Sequence, residues 1–570
     1  MSDTAITGAK SENGTLARSA SGLFSGRRGK RLKEAILAYA FLIPAFIIVF
    51  TFGIFPLAFS AYESTLRGLN RVLGTYDGLG NYVKALDNLA YVLGFWVGIV
   101  LIYLCVRSLT QLYKTAEEKN DRPWILAIPG ILMGIAVALI ARFVFTLLPE
   151  MLAIPDKMRG QENTSELFRQ YVGEAWRLEN VQAAFWAGVI ALLIAIATIT
   201  LVYRFTTRTP RSGSYYSTFI QVSIMLIGTL GLFWLTWTQI QQATTAALED
   251  GEILEIWPQI TIISAGFVLL LLAWFLWRSA SHRDSMISTV LRLGAAAMLI
   301  VGAWVLIGEL PRAIAAGDED WWVGLQVTAY YALGTIPVQL MAGLLFATLL
   351  FQNIKGKTFF RMIYFLPYIA PFVGTAAAFR ILFSGRANAP INSLLGLFHI
   401  APLAWLNEPT GLLKLILGTH ATLPDWAVGP SLALIVIMIF GTWTFFGFNT
   451  VVFLAGLGSI PSELYEAAAI DGAGRWDQFR HVTLPLLSPT IYFLVLWTTI
   501  GTFKAFNHIY VLREGAALGT TDTASVVIFQ AFKRDTRYGY ASALAILLLI
   551  IILVLTAVNN RIASRRVFYG

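Results

Sequence analysis

Apolar and polar residues segregate along this chain over whole segments. Runs rich in Leu, Ile, Val, Phe and Ala occupy about 35–59, 91–106, 124–148, 184–203, 217–238 and 260–277. They continue at about 290–310, 322–351, 362–383, 431–457, 489–510 and 540–559. Roughly 20 apolar residues in a helix cross the hydrocarbon core of a bilayer, and a helix satisfies its backbone donors and acceptors internally. The pattern predicts an all-α integral membrane protein of about 12 transmembrane helices, the second of them short.

The charges between these runs orient them. With the N-terminus inside, inner loops carry Arg107, Lys114, Lys119 and Arg122, then Arg204, Arg208 and Arg211, then Arg278 and Arg283, then Lys355, Lys357 and Arg361. The outer loop near 239–259 instead holds Glu249, Asp250, Glu252 and Glu255, and another holds Asp318, Glu319 and Asp320. Positive charge stays cytoplasmic, so both termini are expected there. Lys533, Arg534 and Arg537, in an outer loop, run against the rule. Residues 1–34, polar and basic, read as a disordered cytoplasmic tail. This tail abuts a span, so no nucleic-acid partner is expected, and a cleaved signal is not indicated because the first apolar run starts late and is long.

One polar stretch between two apolar runs is written like a pair of short helices. Pro461 suits a first helical turn, and Glu463 and Glu466 favour a helix start. Leu464, Ala467 and Ala468 share a face at i, i+3, i+4. Asp471-Gly472-Ala473-Gly474 is turn chemistry, and a second helix carrying Trp476 and Phe479 is expected to stop at Pro485. The alanine face allows close approach by another surface, with Glu466 available as a charged grip.

Glu466-Ala467-Ala468, Asp471-Gly472-Ala473 and Leu484-Pro485 resemble the EAA loop of binding-protein-dependent ATP-binding-cassette importers. Phe41-Leu42-Ile43-Pro44, Leu79-Gly80-Asn81-Tyr82, Tyr364-Phe365-Leu366-Pro367 and Gly539-Tyr540-Ala541-Ser542-Ala543 are similar to sugar-type permeases of that family. The resemblance implies a six-span type I permease core, made of 35–90 (first span and outer loop) and 317–570. It implies that 459–488 is a coupling loop for a cytoplasmic ATPase dimer. A second homologous permease subunit, an extracytoplasmic solute-binding protein and a sugar substrate are the other implied partners. The segment 91–316 is extra to the family pattern. Its six predicted spans leave the flanking topology unchanged, and it reads as an accessory bundle facing lipid or as a regulatory element. The implied location is the bacterial inner membrane.

Composition agrees with a polytopic protein: 57% of residues are hydrophobic, 17 are Trp, and the net charge is +9. The single cysteine, Cys105, forms no internal disulfide. Five scattered histidines lack metal-ligand spacing, and no catalytic constellation stands out, so neither a metal nor a reaction is expected of this chain. Gly356-Lys357-Thr358 lacks the earlier glycine of a phosphate-binding loop, since Phe351 stands there; ATP and Mg are expected on the partner ATPase.

The substrate path is expected between the tenth and eleventh runs. Gly441, Trp443, Phe445, Phe446, Phe448 and Asn449 lie on one, and Thr498, Thr502 and Lys504 on the other. Aromatic faces stack on a pyranose, while hydroxyls and amides take its hydroxyls. In maltose-type permeases the positions matching Gly441, Phe445, Phe448, Thr498 and Thr502 approach the sugar. The expected function is import of an oligosaccharide or polyol. The alternatives are a secondary sugar transporter, which needs a midplane carboxylate, and a membrane-embedded glycosyltransferase, which needs a loop cluster of acids.

Overall fold

The computed structural model describes residues 27–566, apart from 69–73, 162–163, 206–212, 250, 252–255, 281–285, 353 and 419–427. Contacts group the residues up to Ala61 and those from Tyr62 onward into two units. In the first unit α1 (Arg27–Val49) passes through a π turn at Phe50–Ile54 into α2 (Phe55–Glu63). Helix starts at Arg27, so residues 27–34 are not the disordered segment expected; residues 1–26 of that tail lie outside the described residues.

The second unit opens with a short hairpin, β1 (Leu66–Arg67) and β2 (Thr75–Tyr76), antiparallel with Leu66 opposite Tyr76, and then α3 (Gly80–Leu86). Six long helices follow: α4 (Leu89–Glu118), α5 (Ala127–Leu152), α8 (Glu179–Phe205), α9 (Gly213–Glu249), α10 (Ile256–Ala280) and α11 (Met286–Ala316). The short α6 (Ile154–Lys157) and the amphipathic α7 (Ser165–Arg177) lie between α5 and α8. The rest comprises α12 (Glu319–Phe351), α13 (Lys357–Ile369), α14 (Phe372–Leu382), α15 (Pro390–Gly396), α16 (Leu412–Leu417) and α17 (Leu432–Gly458). Then come α18 (Ser462–Ile470), α19 (Arg475–Gln478), α20 (Leu484–Leu486), α21 (Ser488–Phe503), α22 (Asn507–Leu512), α23 (Ala524–Lys533) and α24 (Tyr538–Arg566). Ten helices among the described residues are long and apolar enough to cross a membrane singly, and two bent pairs bring the number to 12. The protein is all-α.

The bent pairs correct two expectations. The run at 362–383 is not one straight span: α13 and α14 meet at 94° around Ala370-Pro371. The residue before a proline is pushed out of the α region, and Ala370 is extended at φ −62°, ψ 146°. The run at 489–510 likewise ends as a helix at Phe503. It is entered from the segment Arg475–Leu486 through a 63° bend. Pro485 does not stop that second helix. A π turn at Phe479–Thr483 shifts the hydrogen-bond register just before it, so the proline is carried inside the segment, and the break comes at Leu487 ahead of Pro489.

The two ends of the extra segment meet. The Asp318 backbone N–H donates to the Ala85 carbonyl at 3.2 Å. The Asp318 carboxylate caps α12 by accepting from the Trp321 N–H at 3.1 Å, and it accepts from the Tyr540 hydroxyl at 2.6 Å. On the other side of α3, Asn81 donates its amide to the Ser64 and Leu66 carbonyls at 2.9 and 2.8 Å. The inserted helices also share a buried apolar cluster with the flanking ones, joining Leu89, Ile240, Ile263 and Leu306 to Trp321, Ala524 and Leu544.

Two outcomes are expected. Deleting 91–316 leaves six residues to bridge Ala85 and Asp318, an ordinary loop length. The deletion also removes Cys105, so Ser462→Cys is then the sole thiol. It should react with a membrane-impermeant reagent from the same side as in the full-length Ser462→Cys chain; reaction from the opposite side would contradict an even number of inserted spans. Secondly, Gly447 lets α13 cross α17 so closely that a Cβ there would strike the Tyr364 carbonyl. Gly447→Ala should cost about 1–3 kcal/mol of stability as overpacking. Gly458→Ala, whose Cβ meets nothing within 4 Å, should cost none. Thermal unfolding of the detergent-solubilised chains compares them.

Candidate functional site

The stretch from Ser462 to Leu486 folds as a projecting two-helix knob. Glu466, Ala467 and Ala468 lie on α18, none of whose residues is buried. The Asp471 N–H returns to the Ala467 carbonyl at 3.0 Å and the Ala473 N–H to Ala468 at 2.9 Å, closing the helix with Gly472 at φ +82°. That left-handed conformation favours glycine. The second helical segment is tied back by Tyr465 to Thr483 at 3.1 Å, and Thr483 donates onward to the Gln478 carbonyl at 3.3 Å. Trp476 stacks on Phe479, and Pro485 is exposed. Glu466 forms no ion pair among the described residues. Ile470 is 86% and Trp476 68% exposed, a surface apolar beyond what the knob needs for itself.

Deeper in the bundle α12, α17 and α21 enclose a cavity of about 50 Å³. Of the residues named from the sequence, Phe445, Phe448, Asn449, Thr498 and Thr502 line it. Thr498 donates its hydroxyl to the Leu494 carbonyl at 2.6 Å, while the Thr502 hydroxyl has no partner among the described residues. Gly441 sits just behind the wall, where the Tyr331 hydroxyl occupies the place its side chain would take.

Three expected residues are elsewhere. At about 100° per residue, Gly441, Phe445, Phe448 and Asn449 share one face of α17. Trp443 falls on the opposite face and packs against Phe379 and Phe440. Phe446 turns a quarter aside, onto Phe346 and Tyr364. Lys504 follows the end of α21, exposed and outside the lining.

A third wall was not foreseen. Tyr331, Thr335 and Gln339 lie at i, i+4, i+8 on α12 and all face the cavity. A glutamine inside an apolar span was the available signal, because intramembrane polar groups seldom face lipid. Its Oε1 lies 3.5 Å from the Asn449 amide, whose own carbonyl oxygen is buried without a partner. The Tyr331 hydroxyl meets His508 Nε2 at 2.7 Å, and the imidazole stacks on Phe440. Small-ligand pockets run to roughly 300–1,000 Å³, and at about 50 Å³ this cavity lies well below that range.

Residues 339–568 match the family described as binding-protein-dependent transport system inner membrane component. The probable ABC transporter permease protein YesP of Bacillus subtilis is 33% identical over 256 residues, which are 44% of this chain and 75% of that protein. The trehalose/maltose transport system permease protein MalF of Thermococcus litoralis is 28% identical over 44% of this chain and 76% of its own length. A solved bacterial alginate ABC transporter, in complex with an alginate pentasaccharide-bound periplasmic protein, aligns over 44% of this chain and 80% of its own, at 22% identity and a TM-score of 0.37. With ten to twelve candidate spans among its described residues, the chain belongs to the binding-protein-dependent transport system inner membrane component family, the multi-pass permeases of ATP-binding-cassette importers.

Proposed function

We propose that this permease carries a carbohydrate, an oligosaccharide or polyol, inward across the membrane, driven by a separate cytoplasmic ATPase dimer that docks on the Ser462–Leu486 knob. The observation that carries this reading is the knob itself. It projects an alanine face, a free Glu466 and two large exposed apolar side chains, and nothing in the described residues covers them. The knob runs directly through the bend at Leu487 into α21, which bears Thr498 and Thr502. Displacement of the knob therefore acts on a wall of the cavity. ATP and Mg belong to the ATPase in this reading, and this chain performs no chemistry.

The remaining assignments go with it. Both termini and the knob lie in the cytoplasm, as the basic inner loops indicate. A second, homologous permease supplies the other half of the pathway, and a solute-binding protein delivers the sugar outside. The sugar class rests on the aromatic and hydroxyl lining of the cavity, together with the trehalose/maltose transport for which the MalF relative is named. The segment 91–316 is an accessory bundle in the lipid around the 35–90 and 317–570 core.

Two substitutions test the halves of the proposal. Gly472→Asp sets a side chain on a left-handed residue with open space around it, so the chain itself has room, and the strain is on the order of 1–2 kcal/mol. Insertion should persist while ATPase copurification and uptake are lost; normal values of both would refute docking at the knob. Thr502→Val keeps the shape and removes the unpartnered hydroxyl. Apparent sugar affinity should weaken about two- to tenfold, the worth of one hydrogen bond. Thr499→Val, outside the lining, should have no effect, and equal negligible effects in both would remove Thr502 from the path.

A further inference from the structure

At the opposite end of the bundle from the knob is a second, larger cavity. Ala347 near the end of α12 packs with Leu457 near the end of α17, and α17 leads to the knob. The beginnings of α12 and α24, joined through Asp318 and Tyr540, therefore mark the far end. There the hairpin, α3 and the start of α24 surround about 640 Å³, within the range of small-ligand sites.

Three cations line this space: Arg67 from β1, Lys84 from α3 and Arg537 just before α24. None forms an ion pair among the described residues. The nearby carboxylates are engaged. Asp318 accepts from Tyr540 and from the Trp321 N–H, and Asp535 is paired with Arg534 at 2.8 Å. Asp77, the one acid in the lining, folds back over the Gly80 backbone. Lys84 lies 4.5 Å from the centre of the Tyr540 ring. Desolvation, and next the charge of Arg537, holds the Lys84 ammonium below its ordinary range.

Like charges gathered around a partly enclosed volume repel until a counter-charge enters. Guanidinium groups grip planar or tetrahedral oxyanions through paired N–H donors, and an ammonium adds a point charge. Leu66 and the Tyr540 ring give the same cavity an apolar side, and one apolar span, α24, begins at its rim. We propose that this cavity binds a phosphate-bearing anion, held by Arg67, Lys84 and Arg537 and supplied as a lipid headgroup or as free phosphate. Arg537, one of the three cations that break the positive-inside pattern, then has a ligand that retains it there.

The full chain in lipid nanodiscs tests this. Wild type should retain phosphatidylglycerol, counted by native mass spectrometry, and the Lys84→Gln, Arg537→Gln double variant should bind it about tenfold or more weakly. Lys533→Gln, an exposed cation outside the lining, should match wild type. Displacement of the lipid by millimolar inorganic phosphate, or broadening of the phosphate NMR line in the absence of lipid, identifies the free anion as the source. Retention of lipid against phosphate identifies the headgroup. Arg67→Gln replaces the double variant if that chain does not fold, as judged by thermal unfolding. The proposal is overturned if folded variants hold both probes as wild type does, if wild type holds neither, or if the substitutions weaken binding of a soluble protein partner alone.

Discussion

One carboxylate holds together parts of the chain that are far apart in sequence. Asp318 caps α12 through the Trp321 N–H, takes the Tyr540 hydroxyl at the head of α24, and through its own N–H binds the Ala85 carbonyl at the end of α3. Each bond alone is worth about a kilocalorie, somewhat more where the acceptor is charged. Their value lies in convergence, because the start of α12, the end of α3 and the start of α24 are fixed relative to one another at a single residue. The long helices below can then pack in pairs, α12 on α17 and α10 on α11, without separate positioning of each.

The end bearing the knob is organised differently. Among the described residues the knob is held by its own hydrogen bonds and by its backbone connections to α17 and α21. The bundle thus has a hydrogen-bonded clamp at one end and a projecting element at the other. The small cavity among α12, α17 and α21 lies between them, with Phe448 of α17 set against Trp497 of α21 in its lining. Among the described residues the seam has one side-chain hydrogen bond, the marginal one from Asn449 to Gln339, so few buried hydrogen bonds hold these walls together.

Much of this was legible in the sequence for a simple reason. Span position depends on summed apolarity over about 20 residues, which no tertiary contact needs to supply. The knob was legible because helix starts, an alanine face and a glycine turn are local signals. Direction was harder. The breaks at Pro371 and Leu487 hide inside apolar runs, since hydropathy records composition and not axis direction. Trp443 was grouped with Phe445 by nearness in sequence, whereas helical phase sets it on the far side. The contribution of Tyr331, Thr335 and Gln339 depends on α12 packing against α17, a long-range contact that no local pattern announces. Arg537 stood out as an anomaly of charge, yet its companions Arg67 and Lys84 lie hundreds of residues earlier.

The Asp318 junction also sets a timetable. Asp318 and Tyr540 are 222 residues apart. At a synthesis rate of about 5–20 residues per second, roughly 10–45 seconds separate their emergence from the ribosome. Ala85 waits a similar time for Asp318 while six inserted helices are threaded into the bilayer. Throughout that interval α3 and the hairpin can close on each other but on neither Asp318 nor Tyr540, so this end of the core is completed last, although its first pieces precede all the inserted helices.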